Sequence, residues 1–375
     1  MNVTDLAELI PTAPGWLLEW DLCIRGFPVL IDLRGCVQEP AYHGEGDVET
    51  HTRMVCKSLI ESASWRMLDP NTRRTVFLAA LLHDIGKPSK TRIENGRITS
   101  RGHSRKGEIA ARIALWEAGV AISEREQVAA LIKHHQAPFF LVDKPGSQRL
   151  LFEISQSARC DHLAAVSIAD ATGRVCSDKQ RLLDNIGLFV EYAKDQGCLA
   201  EPKQFPSDQS RFEYFRATDR SPDYKAYDAT RFEVVLMSGL PGAGKDTWIA
   251  ENLAGWPVVS LDRVREQMKI SAQEPQGRVV SAARELARQH LRRQEPFIWN
   301  ATNLSRQIRE AAIGLFADYG ARIRIVYIES PADKLYKRNR DRRAVVPGSV
   351  ISRLLNRWEV PDLTEAHRVD WVVMS

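Results

Sequence analysis

Two regimes of apolar spacing divide the chain. Up to about residue 200, apolar positions recur every three or four residues. Segments 72–82, 107–119, 124–134 and 180–195 each carry such a stripe, with Val76, Ala79, Ala80 and Leu82 marking the first. Gly, Pro and Asn separate them, so the spacing predicts helices. A short run at 27–31, broken by Pro28, reads as a hairpin. From Phe232 onward the regime changes. Short β-type runs at 232–237, 257–261, 296–299, 322–328 and 371–374 alternate with helical stretches at 246–253, 279–293, 306–319 and 332–340. Such alternation predicts a parallel sheet with crossover helices. Residues 201–232 between the regimes are polar and aperiodic and read as a linker. Their aromatics, including Phe205, Phe212, Tyr214 and Tyr227, point to partial docking on a domain. The expected organisation is multidomain: a helical domain over 1–200, a linker over 201–232 and an α/β domain over 233–375.

Composition narrows the class. The 375 residues suffice for two domains, and 44% apolar with 27% charged residues is ordinary for a globular protein. No run approaches the roughly 20 apolar residues of a membrane span. The start, Met1-Asn2-Val3-Thr4-Asp5, shows no basic stretch leading into an apolar one. A cytoplasmic enzyme without membrane contact is the expectation. Six cysteines form no C-x-x-C pair, which argues against a zinc finger and for reduced thiols. Charge is uneven. Residues 233–375 hold 18 Arg and 4 Lys against 7 Asp and 10 Glu, a net +5, which leaves −1 for residues 1–232. The Arg-rich half leans towards a phosphate-bearing partner, because the guanidinium fork pairs bidentately with phosphate oxygens.

The sharpest motif is Gly239-Leu-Pro-Gly242-Ala243-Gly244-Lys245-Asp246-Thr247, a G-x-x-x-x-G-K loop between an apolar strand and a helix. Such glycines let backbone N–H groups turn inward on phosphate oxygens, and the lysine reaches the β- and γ-phosphates. The residue after the lysine is ordinarily Ser or Thr, a Mg²⁺ ligand; here it is Asp246, which can hold Mg²⁺ directly or through water. Thr247 is expected on a phosphate. Asp262 follows a strand, at the sheet edge where ligands sit, and could take a proton from an attacking hydroxyl. Arg265, one turn on, could bind a phosphate of the acceptor. Asn300-Ala301-Thr302-Asn303 ends another strand. Arg338, Arg340, Arg342 and Arg343 form a basic helix end before Pro347, and Arg338 and Arg342 share a face as a lid over nucleotide phosphates.

The helical half carries a second constellation. His83-Asp84 ends an apolar helix in LLHDIGKP; His51 precedes it, and His103, the His134-His135 pair and Asp170 follow. Imidazoles suit Zn, Fe, Ni, Co or Mn, and a carboxylate can bridge two such ions. Two ions can activate a water between them and clamp a phosphoester. His43, in Tyr42-His43-Gly44-Glu45-Gly46-Asp47, reads equally as a supporting group or as a turn residue.

The GLPGAGKDTW stretch, the Asp262-x-x-Arg265 pair, the NATN segment and the Arg-rich lid resemble the phage-type polynucleotide 5′-hydroxyl kinases over essentially all of 233–375. That resemblance implies that Asp262 is the general base for a 5′-OH and that Arg265 grips the acceptor phosphate. It implies that Arg338 and Arg342, or Arg343 in its place, contact ATP. The order H…HD…H…H…D resembles the HD phosphohydrolases, an all-α fold. It implies metal ligation by His51, His83, Asp84, His103, His135 and Asp170, with His134 competing with His135, and contact between Lys87 and the substrate phosphate. Joined, the two halves resemble the bacterial HD-Pnk family of RNA end-healing enzymes. The implied cofactors are ATP or another NTP, Mg²⁺ in the kinase site and two divalent transition metals in the HD site. The implied partners are RNA ends, with DNA ends not distinguished, and an RNA ligase acting afterwards; a homodimer is left open. The alternative is a nucleoside or metabolite kinase fused to a nucleotide phosphohydrolase.

Overall fold

The computed structural model describes residues 3–271, 274–341 and 345–374. The chain forms two compact units, Met1–Gln204 and Phe205–Ser375.

The first unit is built on helix Pro70–Leu82, polar in its first turns and apolar from Val76 to Leu82. Asp69 caps it by accepting from the N–H groups of Asn71 and Thr72 at 3.0 and 3.1 Å, and Pro70 suits its first turn. Every residue from Thr75 to Leu82 is buried. A helical stretch buried on every side must lie at the centre of its unit, and this helix packs against Val48–Glu61, Ile122–His134 and Cys160–Thr172. Helix His103–Glu117 packs on Ile122–His134. The expected hairpin at 27–31 is absent. Helix Trp20–Gly26 leads through Phe27 into a 3₁₀ turn, Pro28–Leu33, and Pro28 starts the turn, where its missing N–H is harmless. A hairpin forms instead at β1 (Arg92–Glu94) and β2 (Arg97–Thr99), antiparallel around Asn95-Gly96, both at positive φ. The unit is therefore helical with one β insertion. None of the six cysteines forms a disulfide, and Cys23, Cys56, Cys160 and Cys198 are buried.

The second unit is a five-stranded parallel sheet ordered β4 (Val258–Ser260), β5 (Phe297–Asn300), β3 (Phe232–Ser238), β6 (Ala321–Glu329) and β7 (Arg368–Val373). Val234, Leu236, Phe297, Trp299, Ile323 and Ile325 are buried against helices such as Gly277–Arg293 and Arg306–Asp318, through Ala283, Ala287, Ile313 and Phe316. The segment expected as a linker holds a nine-residue helix, Asp208–Arg216, with Phe212, Tyr214 and Phe215 buried. Its anchor is His367. That ring lies 4.0 Å from the ring of Phe212, donates from Nε2 to Gln209 Oε1 at 2.7 Å and accepts from the N–H of Ile323 at Nδ1. This bonding requires neutral imidazole. Burial, reinforced by the Arg322 charge, pushes its pKa down from 6.5 to about 4.

The sign follows from linkage. The unfolded His367 takes a proton at a higher pH than the folded one, so its contribution is complete above about pH 6.5 and fades as pH falls towards 4. The ceiling is about 3 kcal/mol, at about 1.4 kcal/mol per pH unit. Urea unfolding of the full chain should therefore show the stability gap between wild type and His367→Gln narrowing steadily from pH 7 to pH 4.5. A gap independent of pH would contradict this role.

No helix among the described residues is long and apolar enough to cross a membrane.

Candidate functional sites

In the first unit, the helices that meet Pro70–Leu82 each bring a ligand-type side chain to one buried point. His51 lies on Val48–Glu61, His83 and Asp84 end the central helix, His135 caps Ile122–His134, and Asp170 lies on Cys160–Thr172. His103 begins the helix that packs on Ile122–His134. Gly86 makes that approach: a Cβ there would sit 2.1 Å from the carbonyl oxygen of His103.

The imidazoles are oriented by their outer nitrogens. Nδ1 of His83, His103 and His135 lies 2.7, 2.8 and 2.7 Å from the carbonyls of Ala80, Ser100 and Ile132. A ring that donates from Nδ1 keeps Nε2 as a bare lone pair. These Nε2 atoms converge on Asp84. Its Oδ2 is 3.1 Å from His83 and 3.7 Å from His51, and its Oδ1 is 3.3 Å from His103 and 3.9 Å from His135. Asp170 Oδ1 lies 3.1 Å from His51 Nε2. Two donor triads result, His51-His83-Asp170 and Asp84-His103-His135, each with its ligand atoms within 4.8 Å of one another. Both Asp84 oxygens are buried and take no aligned hydrogen bond. A carboxylate so placed between two sets of imidazole lone pairs fits a bridge between two cations. The six expected ligands come together; among them His135 takes the inner position, whereas His134 lies outside both triads.

At His135 and at the two carboxylates the electrostatics agree with that fit, while at His83 burial is outweighed by the Asp84 charge, which raises the pKa. Burial, with the His83 and His103 charges, pushes His135 down to about 3, so its lone pair is free at neutral pH. Burial alone would raise Asp84, but His83 and Lys87 hold it well below the usual carboxylate range. Burial would likewise raise Asp170, and Arg174 and His51 hold it down.

Supporting groups surround the cluster. Lys87 Nζ is buried, 2.7 Å from Asp84 Oδ2, and donates to Gln38 Oε1 at 2.7 Å. It lines a cavity of about 290 Å³ that opens beside His103. Arg174 makes a bidentate pair with Asp170 at 2.8 and 2.7 Å. Its place four residues after Asp170 on the sequence was a readable signal for that pair. Glu45 lies 2.9 Å from His43 Nδ1 and 2.8 Å from His51 Nδ1. Burial would raise the Glu45 pKa, and the two imidazoles hold it well below the usual range. His43 is thus tied to the site through Glu45. No motif spacing marks Glu45, because its partner rings come from a loop and a helix. Carboxylates that orient metal-bound histidines tune affinity, so Glu45→Gln should weaken metal retention by roughly 10- to 100-fold in a chelator competition. Wild-type retention would confine Glu45 to loop structure, where it accepts from Val175 N–H at 2.8 Å.

In the second unit, the register aligns Met237, Ser260 and Asn300 at the carboxyl edge of the sheet. The loop after β3 has Gly239, Gly242 and Gly244 at φ of +146°, +83° and +107°. A Cβ at Gly239 would meet the Ile328 carbonyl oxygen at 2.2 Å. Lys245 Nζ donates to the carbonyls of Gly239 and Leu240 at 2.9 and 3.0 Å, so the lysine closes the loop. Ala243 is buried within the loop, while Asp246 and Thr247 stand exposed at the start of helix Lys245–Asn252. Asn300 donates to Asp246 Oδ1 at 2.7 Å, which aims the carboxylate. Asn303 donates to the Met237 carbonyl at 2.7 Å, and Gly239 N–H donates to the Thr302 carbonyl at 2.9 Å, fastening the NATN segment to the loop. A glycine loop at positive φ and a held carboxylate fit a nucleotide's phosphates with a hard cation.

Asp262 is exposed in the first turn of Leu261–Gln267 and pairs with Arg265, which also donates to Gln276 Oε1 at 2.8 Å. Arg338, on Ala332–Asp341, donates to Ser330 Oγ at 2.8 Å, and Ser330 donates to the Ala243 carbonyl at 3.1 Å. A serine that the sequence did not single out thus joins the lid helix to the phosphate loop. Arg342 and Arg343 lie outside the described residues. Asn339 bonds both N–H and C=O of Val346 at 3.0 and 2.8 Å, tying the two sides of that segment together.

Comparison with known families agrees with this geometry. Residues 48–174 match the family described as HD domain, and residues 234–361 match the family described as AAA domain. The chain carries a helical HD domain followed by a P-loop kinase domain with a parallel five-stranded sheet. Solved structures similar to part of it include an unliganded sugar kinase from a Janibacter species, 17% identical over 38% of this chain and 86% of that one, with a TM-score of 0.30. Another is Kti12 of Chaetomium thermophilum, in complex with ADP-AlF3, 15% identical over 38% of this chain and 88% of that one, with a TM-score of 0.28.

Proposed function

We propose that the protein heals RNA ends, its HD unit removing 2′-, 3′- or 2′,3′-cyclic phosphate and its P-loop unit transferring the γ-phosphate of an NTP to a 5′-OH. The observation that carries this reading is the pair of sites in one chain: a six-donor cluster centred on a bridging-type carboxylate, and a phosphate loop whose sheet edge also presents Asp262 paired with Arg265. One is suited to hydrolysing a phosphoester and the other to phosphorylating a hydroxyl that lies next to a phosphate.

In the HD unit, His51, His83 and Asp170 would hold one divalent cation and His103 and His135 a second, with Asp84 between them. Bound metals supply an activated water and clamp the phosphoester oxygens. Lys87 neutralises charge at Asp84 and faces the cavity. Arg174 and Glu45 fix the carboxylate and imidazole they touch.

In the P-loop unit, the N–H groups of Gly242 and Gly244 and the Lys245 ammonium would hold the NTP phosphates, with Thr247 beside them. Asp246 would hold Mg²⁺, which screens charge between the β- and γ-phosphates. Asp262 accepts the proton of the 5′-OH, Arg265 turns to the phosphate that follows the acceptor nucleotide, and Arg338 reaches the transferred group. Polynucleotide acceptors have that neighbouring phosphate and nucleosides lack it, so the Asp262–Arg265 pair favours a polymer over a nucleoside.

The test is a short RNA with a 5′-OH and a 3′-phosphate, incubated with protein, ATP, Mg²⁺ and a transition metal, with both ends read by mass spectrometry. Gain of a phosphate at the 5′ end and loss of one at the 3′ end are expected. No change at either end with any metal would defeat the reading.

A further inference from the structure

We propose that the β1–β2 hairpin is a backbone clamp for single-stranded polynucleotide, holding the phosphates that precede the terminal one offered to the metal cluster. This rests on the end-healing reading and adds to it a surface for which the metal cluster has no need. Three observations carry the proposal.

The first is position. The hairpin leaves the chain just after Asp84 and returns at His103, so two of the six metal-ligand candidates bracket it. Its base is pinned: Thr91 Oγ1 donates to the Lys87 carbonyl at 2.9 Å and lies 2.8 Å from Ser100 Oγ, and Ile98 N–H donates to Glu39 at 2.9 Å. The Ser100 carbonyl at its exit is the partner of His103 Nδ1. The tip, from Arg92 to Arg97, is exposed.

The second is charge. Residues 87–106 contain Lys87, Lys90, Arg92, Arg97, Arg101, Arg105 and Lys106 against the single carboxylate Glu94, inside a region, 1–232, whose net charge is −1. Elsewhere in this unit surface arginines find acids, as in Arg34–Glu49, Arg74–Glu124, Arg159–Asp161 and Arg181–Asp178. Lys87 pairs with Asp84, whereas Lys90, Arg92, Arg97 and Arg101 have no carboxylate at ion-pair distance among the described residues; Arg92 donates to the carbonyls of Thr91 and Ser89. Lys90, Arg92, Arg97 and Arg101, gathered on and beside the hairpin, form the footprint of a polyanion.

The third is size. The cavity beside His103, walled by Ile98, Ser100 and Arg101 from the hairpin, measures about 290 Å³, at the low end for small-molecule sites. It has room for a terminal nucleotide, and the rest of a polymer must continue outside, where the hairpin stands.

The experiment measures 3′-phosphate release by the full-length protein, without NTP, from a nucleoside 3′-monophosphate and from 3′-phosphorylated oligoribonucleotides of increasing length. Wild-type kcat/KM should climb with length and fall with salt, each contacted phosphate adding about 0.7 to the log–log slope for a single strand. Lys90→Glu/Arg97→Glu should lose most of the climb through KM and lower the slope by about 1.4, whereas Lys90→Arg/Arg97→Lys should retain both. A charge-reversed protein with the wild-type length and salt profile would overturn the clamp and leave end healing standing. Preference for the mononucleotide over every oligomer would also overturn it. Release from no substrate with any metal would instead defeat the end-healing reading, and the clamp with it.

Discussion

Asp84→Asn is expected to strip both metal positions of the HD unit and to lower 3′-phosphate removal by roughly 10³-fold, the scale of losing several kcal/mol of metal-derived stabilisation, while 5′-phosphorylation persists. Asn is nearly isosteric, so packing around the buried site is retained. What changes is the charge between His51 and His83 on one side and His103 and His135 on the other, at 3.1 to 3.9 Å. The Asn amide cannot bridge two cations, and its N–H atoms would oppose the imidazole lone pairs fixed by the carbonyls of Ala80, Ser100 and Ile132. Lys87 keeps its bond to Gln38, so the substitution does not strand a buried ammonium without any partner. Metal content by elemental analysis and both end reactions on one RNA would check the result. Metal-replete Asp84→Asn with normal phosphate release would remove Asp84 from the bridge. Loss of both activities in a folded protein would contradict two independent sites.

The sequence showed the kinase half more clearly than the HD half, for a physical reason. A buried parallel strand is an apolar run on both faces, so β3, β5 and β6 stand out, and the glycine loop sits where β3 stops. The HD ligands are scattered over more than a hundred residues and meet only because the helices converge on Pro70–Leu82. The types of residue were readable, but the contacts of Glu45 with His51, and of Ser330 with Arg338, depend on packing that spacing does not encode. One hairpin was expected where none forms, and one that forms was not expected. At 27–31 an apolar run with Pro28 became a 3₁₀ turn, because Pro tolerates a helical start better than a paired strand. At Arg92–Thr99 the Asn95-Gly96 turn was a readable hairpin signal, but strands of three residues carry too little alternation to register beside long helices. The aromatic segment before β3 looked like linker because its helix is short, and its docking through Phe212 needs His367 from the far end of the unit.

Asp262→Asn should lower 5′-phosphorylation by about 10²- to 10⁴-fold, the usual worth of a general base, with little change in the KM for NTP. Its carboxylate follows β4 at the carboxyl edge of the sheet, and its partner is Arg265. A loss confined to kcat would therefore fit proton abstraction from the acceptor hydroxyl. Arg265→Ala should behave differently. It removes the proposed grip on the acceptor's phosphate, so KM for the polynucleotide should rise, and it frees Asp262 from its ion pair. Lys245→Ala makes a third contrast, raising the KM for NTP and lowering kcat together, because its ammonium closes the loop on the carbonyls of Gly239 and Leu240 and is the proposed phosphate contact there. Single-turnover rates with 5′-OH RNA separate these patterns. If Asp262→Asn kept its kcat and lost only RNA affinity, the carboxylate would be a positioning partner of Arg265, and the base would have to be sought elsewhere along the same sheet edge.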